Sequence, residues 1–213
     1  MRRFAFAISG LAALLMGATS SLAANDATQN TPGSPPSVST QTPTVTVTPP
    51  SNDDNAATQT PQVFYGEDGL PPPVKELRRK LIAAIKTGDL ESLRPIIEAN
   101  GATPELSGGD SDDPIATLKL LAGDPQGREI LAIMEDVLEA GYVHVDVGTP
   151  QEAYIWPYFA RYPFSKLTGP QMVELFRLIT AGDFQDMQDK GVYSFYRLGI
   201  GPDGKWQFFE DGD

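Results

Sequence analysis

The hydrophobic period of this chain changes at Gly141. Before it, apolar residues recur every three or four positions, as in Val74, Leu77, Leu81, Ile82 and Ile85, and again in Ile130, Ile133, Met134, Val137 and Leu138. That spacing lays an apolar stripe along a helix. After it, Tyr142-Val143-His144-Val145-Asp146-Val147 alternates residue by residue, as a strand with one buried face does. Helices first and strands mostly late define an α+β fold. The expected architecture is a set of N-terminal helices packed on a small antiparallel sheet built from hairpins around 142–159 and 192–209.

Turn and cap residues divide this region further. Pro71-Pro72-Pro73 opens the first helix and Gly88 stops it. Asp89 caps a second helix that Pro95 must kink or restart, and Gly182-Asp183-Phe184 repeats this capped start later in the chain. Asp113-Pro114 and Asp124-Pro125 each place a capping carboxylate before proline, and Gly141 is expected to close the helix that follows Asp124. A second strand is expected over 153–159, limited by Pro157. Thr168 with Gln171 predicts a capping box, and a short helix follows from Ala181 to Lys190. The chain closes in a hairpin, 192–200 and 205–209, turned by Gly201-Pro202-Asp203-Gly204. The cations Lys75, Arg78, Arg79 and Lys80 fall between the apolar positions of the first helix and are expected on its wet face.

The first 62 residues read differently. Met1-Arg2-Arg3, an apolar run from Phe4 to Ala18, and Ser21-Leu22-Ala23 have the order of a cleavable signal peptide, with the cut expected after Ala23 or at Ala24. An uncleaved anchor and a twin-arginine leader are the alternatives; against the anchor, the run is shorter than the roughly 20 residues of a bilayer span. Residues 24–62 are rich in Thr, Pro, Ser, Gln and Asn, with Val38, Val45 and Val47 among few apolar side chains. Such a composition does not offset the entropy of ordering, so a disordered spacer is expected. The domain proper then spans 63–213, and the product is expected in the periplasm or outside the cell, with no membrane span after cleavage.

Composition narrows the chemistry. There is no cysteine, so thiol catalysis, disulfides and Cys-ligated metals are excluded, and a single histidine, His144, excludes a multi-histidine metal site within one chain. The net charge of −12 becomes −14 once Arg2 and Arg3 are removed. That balance argues against nucleic acid as a partner, because phosphate backbones demand clustered cations. No Gly-rich phosphate loop or Gly-x-Ser-x-Gly elbow occurs, and no cofactor is expected.

Three groups remain as candidates. Tyr154, Trp156 and Tyr158 alternate on the second strand and form a ligand-binding row if Pro157 leaves the alternation intact; the same rings equally suit a core between sheet and helices. His144 and Asp146, two apart on a strand, share a face and are the catalytic candidates, an imidazole beside a carboxylate making a proton shuttle; a solvated strand face is the alternative. Asp110, Asp112 and Asp113 sit in a Gly-rich loop suited to calcium, although the EF-hand pattern is absent and Asp113 doubles as a helix cap.

Tyr154-Ile155-Trp156-Pro157-Tyr158-Phe159-Ala160 and the stretch from Tyr193 to Phe209 resemble segments of a group of uncharacterised exported proteins of Gram-negative bacteria, a resemblance that implies export and no activity. Ala84-Ile85-Lys86-Thr87-Gly88-Asp89-Leu90-Glu91-Ser92-Leu93 is similar to the opening helices of NTF2-like α+β domains, while the later order of elements departs from theirs. The function expected from the sequence is a non-enzymatic domain binding an envelope protein or glycan. The alternative is an envelope glycan or peptide hydrolase using carboxylates in an aromatic-lined cleft.

Overall fold

Among the described residues, six strands and six α-helices form in the order β1 (Val63–Phe64), α1 (Pro72–Ile85), α2 (Arg94–Ala99), β2 (Glu105–Leu106), α3 (Pro114–Leu121), α4 (Arg128–Glu139), β3 (Tyr142–Val145), β4 (Ala153–Trp156), α5 (Gly169–Leu178), α6 (Ala181–Lys190), β5 (Tyr196–Ile200) and β6 (Trp206–Asp211). They are seen in a computed structural model that describes residues 60–108 and 112–212. The expected leader, 1–23, and all but the last three residues of the expected spacer lie outside the described residues. The α+β class holds. The two expected hairpins join through an antiparallel β4–β5 pair into one sheet of order β1-β3-β4-β5-β6-β2. Its sixth strand, β2, pairs parallel to β6 and makes the sheet mixed.

Both faces of the sheet are covered, which the alternation in 142–147 did not suggest. One cross-strand row, Val63, Val143, Ile155, Gly199, Phe208 and Glu105, crosses all six strands. Its apolar members pack with Leu175 and Ile179 of the α5 region and with Phe184 and Met187 of α6. The opposite face presents Tyr142, Tyr154, Trp156, Leu198, Ile200 and Phe209 to α1, α3 and α4. A strand buried on both faces needs an apolar or aromatic residue at nearly every position, and β4, Ala-Tyr-Ile-Trp, is buried throughout.

Local chemistry explains where elements stop. β3 ends at Val145, two residues earlier than expected, because Asp146 adopts φ 55° and Gly148 φ 79°. β4 ends at Trp156; Pro157 follows through a cis peptide and brings no N–H to a ladder. Gly141 is not the stop of α4, which ends in extended backbone at Ala140. Its missing side chain instead admits the rings of Tyr65 and Tyr158, which a Cβ would meet at 2.8 and 2.9 Å. α4 begins at Arg128, behind a left-handed Gly127, while Asp124 accepts the Glu129 N–H at 2.8 Å from outside the helix. α6 is capped by Thr180 with Asp183 reaching back to it, so Asp183 is the partner in a capping box and not the cap itself. The Thr168–Gln171 box and the caps at Asp89 and Asp113 form as expected.

Arg78 also departs from expectation. Lys80 and Arg79 reach Glu76 and Glu67 at the surface. Arg78 turns inward and donates through Nη2 and Nε to the Leu138 carbonyl, at 2.7 and 3.3 Å. A cation on the last turn of α4 meets the negative end of its dipole and orphan carbonyls. This contact fastens α1 to α4.

Candidate functional site

The two short helices α5 and α6 do not cover their whole face of the sheet. Toward β6 the face stays open as a groove of about 800 Å³, floored by Ala153, Ile155 and Phe208 and rimmed by Asp146, Arg161 and Glu210. The volume lies within the roughly 300–1,000 Å³ of small-ligand clefts. The β4–β5–β6 ladders make its floor rigid. Asn100, at the end of α2, supports one wall: its side chain donates to Trp206 O at 2.9 Å and accepts from Trp206 N at 2.8 Å.

The floor depends on one glycine. A Cβ at Gly199 would meet Phe208 Cε1, Cζ and Cδ1 at 2.2, 2.3 and 2.8 Å. The Phe208 ring therefore lies across β5 in the space a side chain would fill. A glycine inside a strand marks such a close approach. Gly199 inside the final hairpin is the sequence signal for this surface.

Two of the five charged residues around the groove, Glu105, Asp146, Arg161, Lys205 and Glu210, are engaged. Glu210 is paired with Arg197 at 2.9 Å, and Lys205 Nζ donates to Asn100 O at 2.6 Å. Gln207 gives its amide to Glu152 O at 3.1 Å. The Asp146 carboxylate and the Arg161 guanidinium are exposed and have no hydrogen-bond or ion-pair partner among the described residues.

The sequence candidates are distributed differently from expectation. His144 and Asp146 do not share a face: the positive φ of Asp146 ends the strand and turns it to the groove, while His144 lies on the α1–α4 side. There its ring stacks on Tyr154, 4.1 Å between centroids at 8°, and Nε2 lies 2.8 Å from Glu152 Oε1. The imidazole is held by Glu152 and not by Asp146, so the proposed shuttle pair is not assembled. Tyr154, Trp156 and Tyr158 form no exposed row. Trp156 and Tyr158 are wholly buried and Tyr154 nearly so. Tyr154 and Trp156 face the α1–α4 core, and Tyr158, beyond Pro157, packs in the other. Of the acidic loop, Asp110 lies outside the described residues. Asp113 accepts from Ile115 N and pairs with Arg94 at 3.3 Å, which occupies it as a cap and an ion pair. No group of three potential metal ligands is found among the described residues.

A second polar cluster fastens α5. Glu174 accepts from the Tyr65 hydroxyl at 2.9 Å, the Tyr158 hydroxyl at 3.1 Å and Gly141 N at 3.0 Å. Burial pushes the Tyr158 hydroxyl far above its usual range, with the neighbouring tyrosine and carboxylate adding to the effect. It stays protonated and donating, as a clamp requires.

Glu152 carries a pH dependence. The Gly148 N–H on one oxygen and His144 on the other hold its carboxyl below the ordinary 4.5. A depressed folded-state pKa contributes stability above the unfolded value, lost as pH falls through the folded one. Chemical denaturation from pH 6 down to pH 3 is expected to show a steeper loss of stability below about pH 4.5 in the native chain than in Glu152→Gln; parallel curves would refute the assignment.

Compared with known proteins, the chain matches no family model, no curated protein and no solved structure.

Proposed function

We propose that this chain is a non-enzymatic periplasmic domain that binds a cell-envelope partner or ligand in the groove beside Phe208. The observation that supports the reading is the groove itself: a rigid apolar floor on the sheet with uncommitted Asp146 and Arg161 at its rim. Concave apolar surface with a few convergent polar groups is what small-ligand recognition requires. The export signal and the spacer, both readings of the sequence alone, would deliver such a domain to the envelope. The test compares the native chain with Arg161→Glu on envelope extract, scoring bound protein and glycan separately. The native chain is expected to retain a component that the variant releases. Equal retention by both, or none above a tagged control, would defeat the reading.

One observation favours the hydrolase alternative: Asp146 and Glu210 line the same groove. Under that reading the native chain turns over a labelled envelope glycan or peptide, and Asp146→Asn and Glu210→Gln abolish turnover while binding persists. Binding without turnover leaves the non-enzymatic reading standing.

A further inference from the structure

Three properties of the groove restrict what it accepts. Its floor is the face of a sheet, not an edge. The backbone groups of β4 and β5 beneath it are engaged in their ladders. An extended peptide gains affinity chiefly by adding main-chain hydrogen bonds to a free strand edge, and this floor offers none.

Charge is the second property. Three carboxylates, Glu105, Asp146 and Glu210, border the groove against Arg161 and Lys205, and Lys205 is engaged with Asn100. The whole chain carries −12. A polyanion meets repulsion here, both locally and at long range. A polycation finds Glu210 already held by Arg197, and the remaining carboxylates, Glu105 and Asp146, are matched in number by the cations Arg161 and Lys205 on the same groove. The arrangement suits a ligand without net charge.

The third property is the pairing of an aromatic ring with unengaged polar groups. Phe208, half-buried across Gly199, turns its remaining surface to the groove. Asp146, Arg161 and Gln151 at the rim have free hydrogen-bonding capacity. A carboxylate accepts from two adjacent hydroxyls, a guanidinium donates to their oxygens, and an amide does both. A pyranose ring supplies the complement of all three, an apolar face of C–H groups for the phenyl ring and hydroxyls around its edge.

We propose that the groove binds an uncharged oligosaccharide, with one sugar ring stacked on Phe208 and its hydroxyls held by Asp146 and Arg161. The assignment rests on the ligand-binding reading above and names its ligand class.

The test titrates the full chain with linear tetramers of glucose, mannose and N-acetylglucosamine, following both heat and amide chemical shifts. At least one tetramer is expected to bind saturably, with shifts centred on Gly199 and Phe208. Phe208→Ala is expected to weaken that binding about tenfold, while Phe208→Tyr retains it. Asp146→Asn and Arg161→Ala, at exposed positions whose loss leaves the fold intact, each weaken it several-fold without moving the melting temperature. Because the ligand is neutral, raising salt from low to physiological levels changes the affinity less than twofold. If no tetramer binds while an envelope protein is retained by the native chain and lost from Arg161→Glu, the saccharide assignment falls and the binding reading survives. If neither is bound, both fall. Saturable binding indifferent to all of these variants overturns the groove as the saccharide site.

Discussion

Trp156→Ala is expected to destabilise the domain by about 3–5 kcal/mol, the usual cost of deleting a large aromatic side chain from a core. Trp156 is wholly buried at the end of β4, opposite Leu198, and its ring lies 4.9 Å from that of Tyr142. Truncation leaves a cavity between the sheet and the N-terminal helices that neither rigid layer readily closes. A domain of this length should lose about 6–20 °C of melting temperature, taking 2–4 °C per kcal/mol. Trp156→Phe supplies the contrast. The indole Nε1 is buried with no hydrogen-bond partner among the described residues. Phenylalanine removes that unsatisfied donor, a gain of about 1–3 kcal/mol that offsets much of the lost contact. Its penalty should be less than half that of alanine. Equal penalties would mean that the indole N–H has a partner in solution.

The second large effect falls on Asn100, a buried polar residue that acts as a short piece of strand. Its side-chain amide donates to Trp206 O and Ala102 O and accepts from Trp206 N. In Asn100→Ala the Trp206 N–H and C=O lose their partner, and the expected cost is about 2–6 kcal/mol at roughly 1–3 per orphaned group. Asn100→Asp isolates the donor half. At pH 7 a carboxylate oxygen replaces the N–H₂ and faces two carbonyls, so this variant should be the less stable of the two. Protonation restores a donor and raises the folded-state pKa of that aspartate, so its stability should recover as pH falls toward 4. Thermal melts of both variants at pH 7 and pH 4 decide the matter; an Asn100→Asp variant no worse than alanine at pH 7 would refute the paired geometry. Because Asn100 also lines the groove, both variants are expected to weaken any ligand held there.

Much of the secondary structure was legible because its causes are local. The stripes of α1 and α4, the boxes at Thr168, the cap at Asp113 and the turn 201–204 all follow from residues within a few positions of one another. The misplacements have a different origin. Asp124 looks like a cap from sequence, but a left-handed Gly127 interposes one more turn before α4. β1 and β2 are two residues each and exist only through partners about 80 and 100 positions away. No local pattern announces them.

The candidate site was mostly hidden for the same reason. His144 and Asp146 satisfy the two-residue rule of a strand, and a single positive φ at Asp146 breaks it. Tyr154, Trp156 and Tyr158 are of the residue types that serve both cores and binding surfaces, and only the helices above them decide which. Phe208 and Arg161 lie nearly fifty positions apart, and the β4–β5–β6 pairing is what brings them to one groove.

By itself, then, the order of residues determined the helix-then-strand arrangement, most helix ends, the acidity, and the absence of thiol and multi-histidine chemistry. These depend on composition, or on interactions that span one or two turns of chain. Tertiary structure alone decided that Gly141 serves close packing rather than a helix stop, that His144 pairs with Glu152, and that the aromatic strand is core. It also decided that the open surface lies over Gly199. Each of these is a contact between segments distant in sequence, and its energy depends on which faces meet. The change of period at Gly141 predicts that a sheet begins there, but not that α5 and α6 return to cover its second face and stop short of β6.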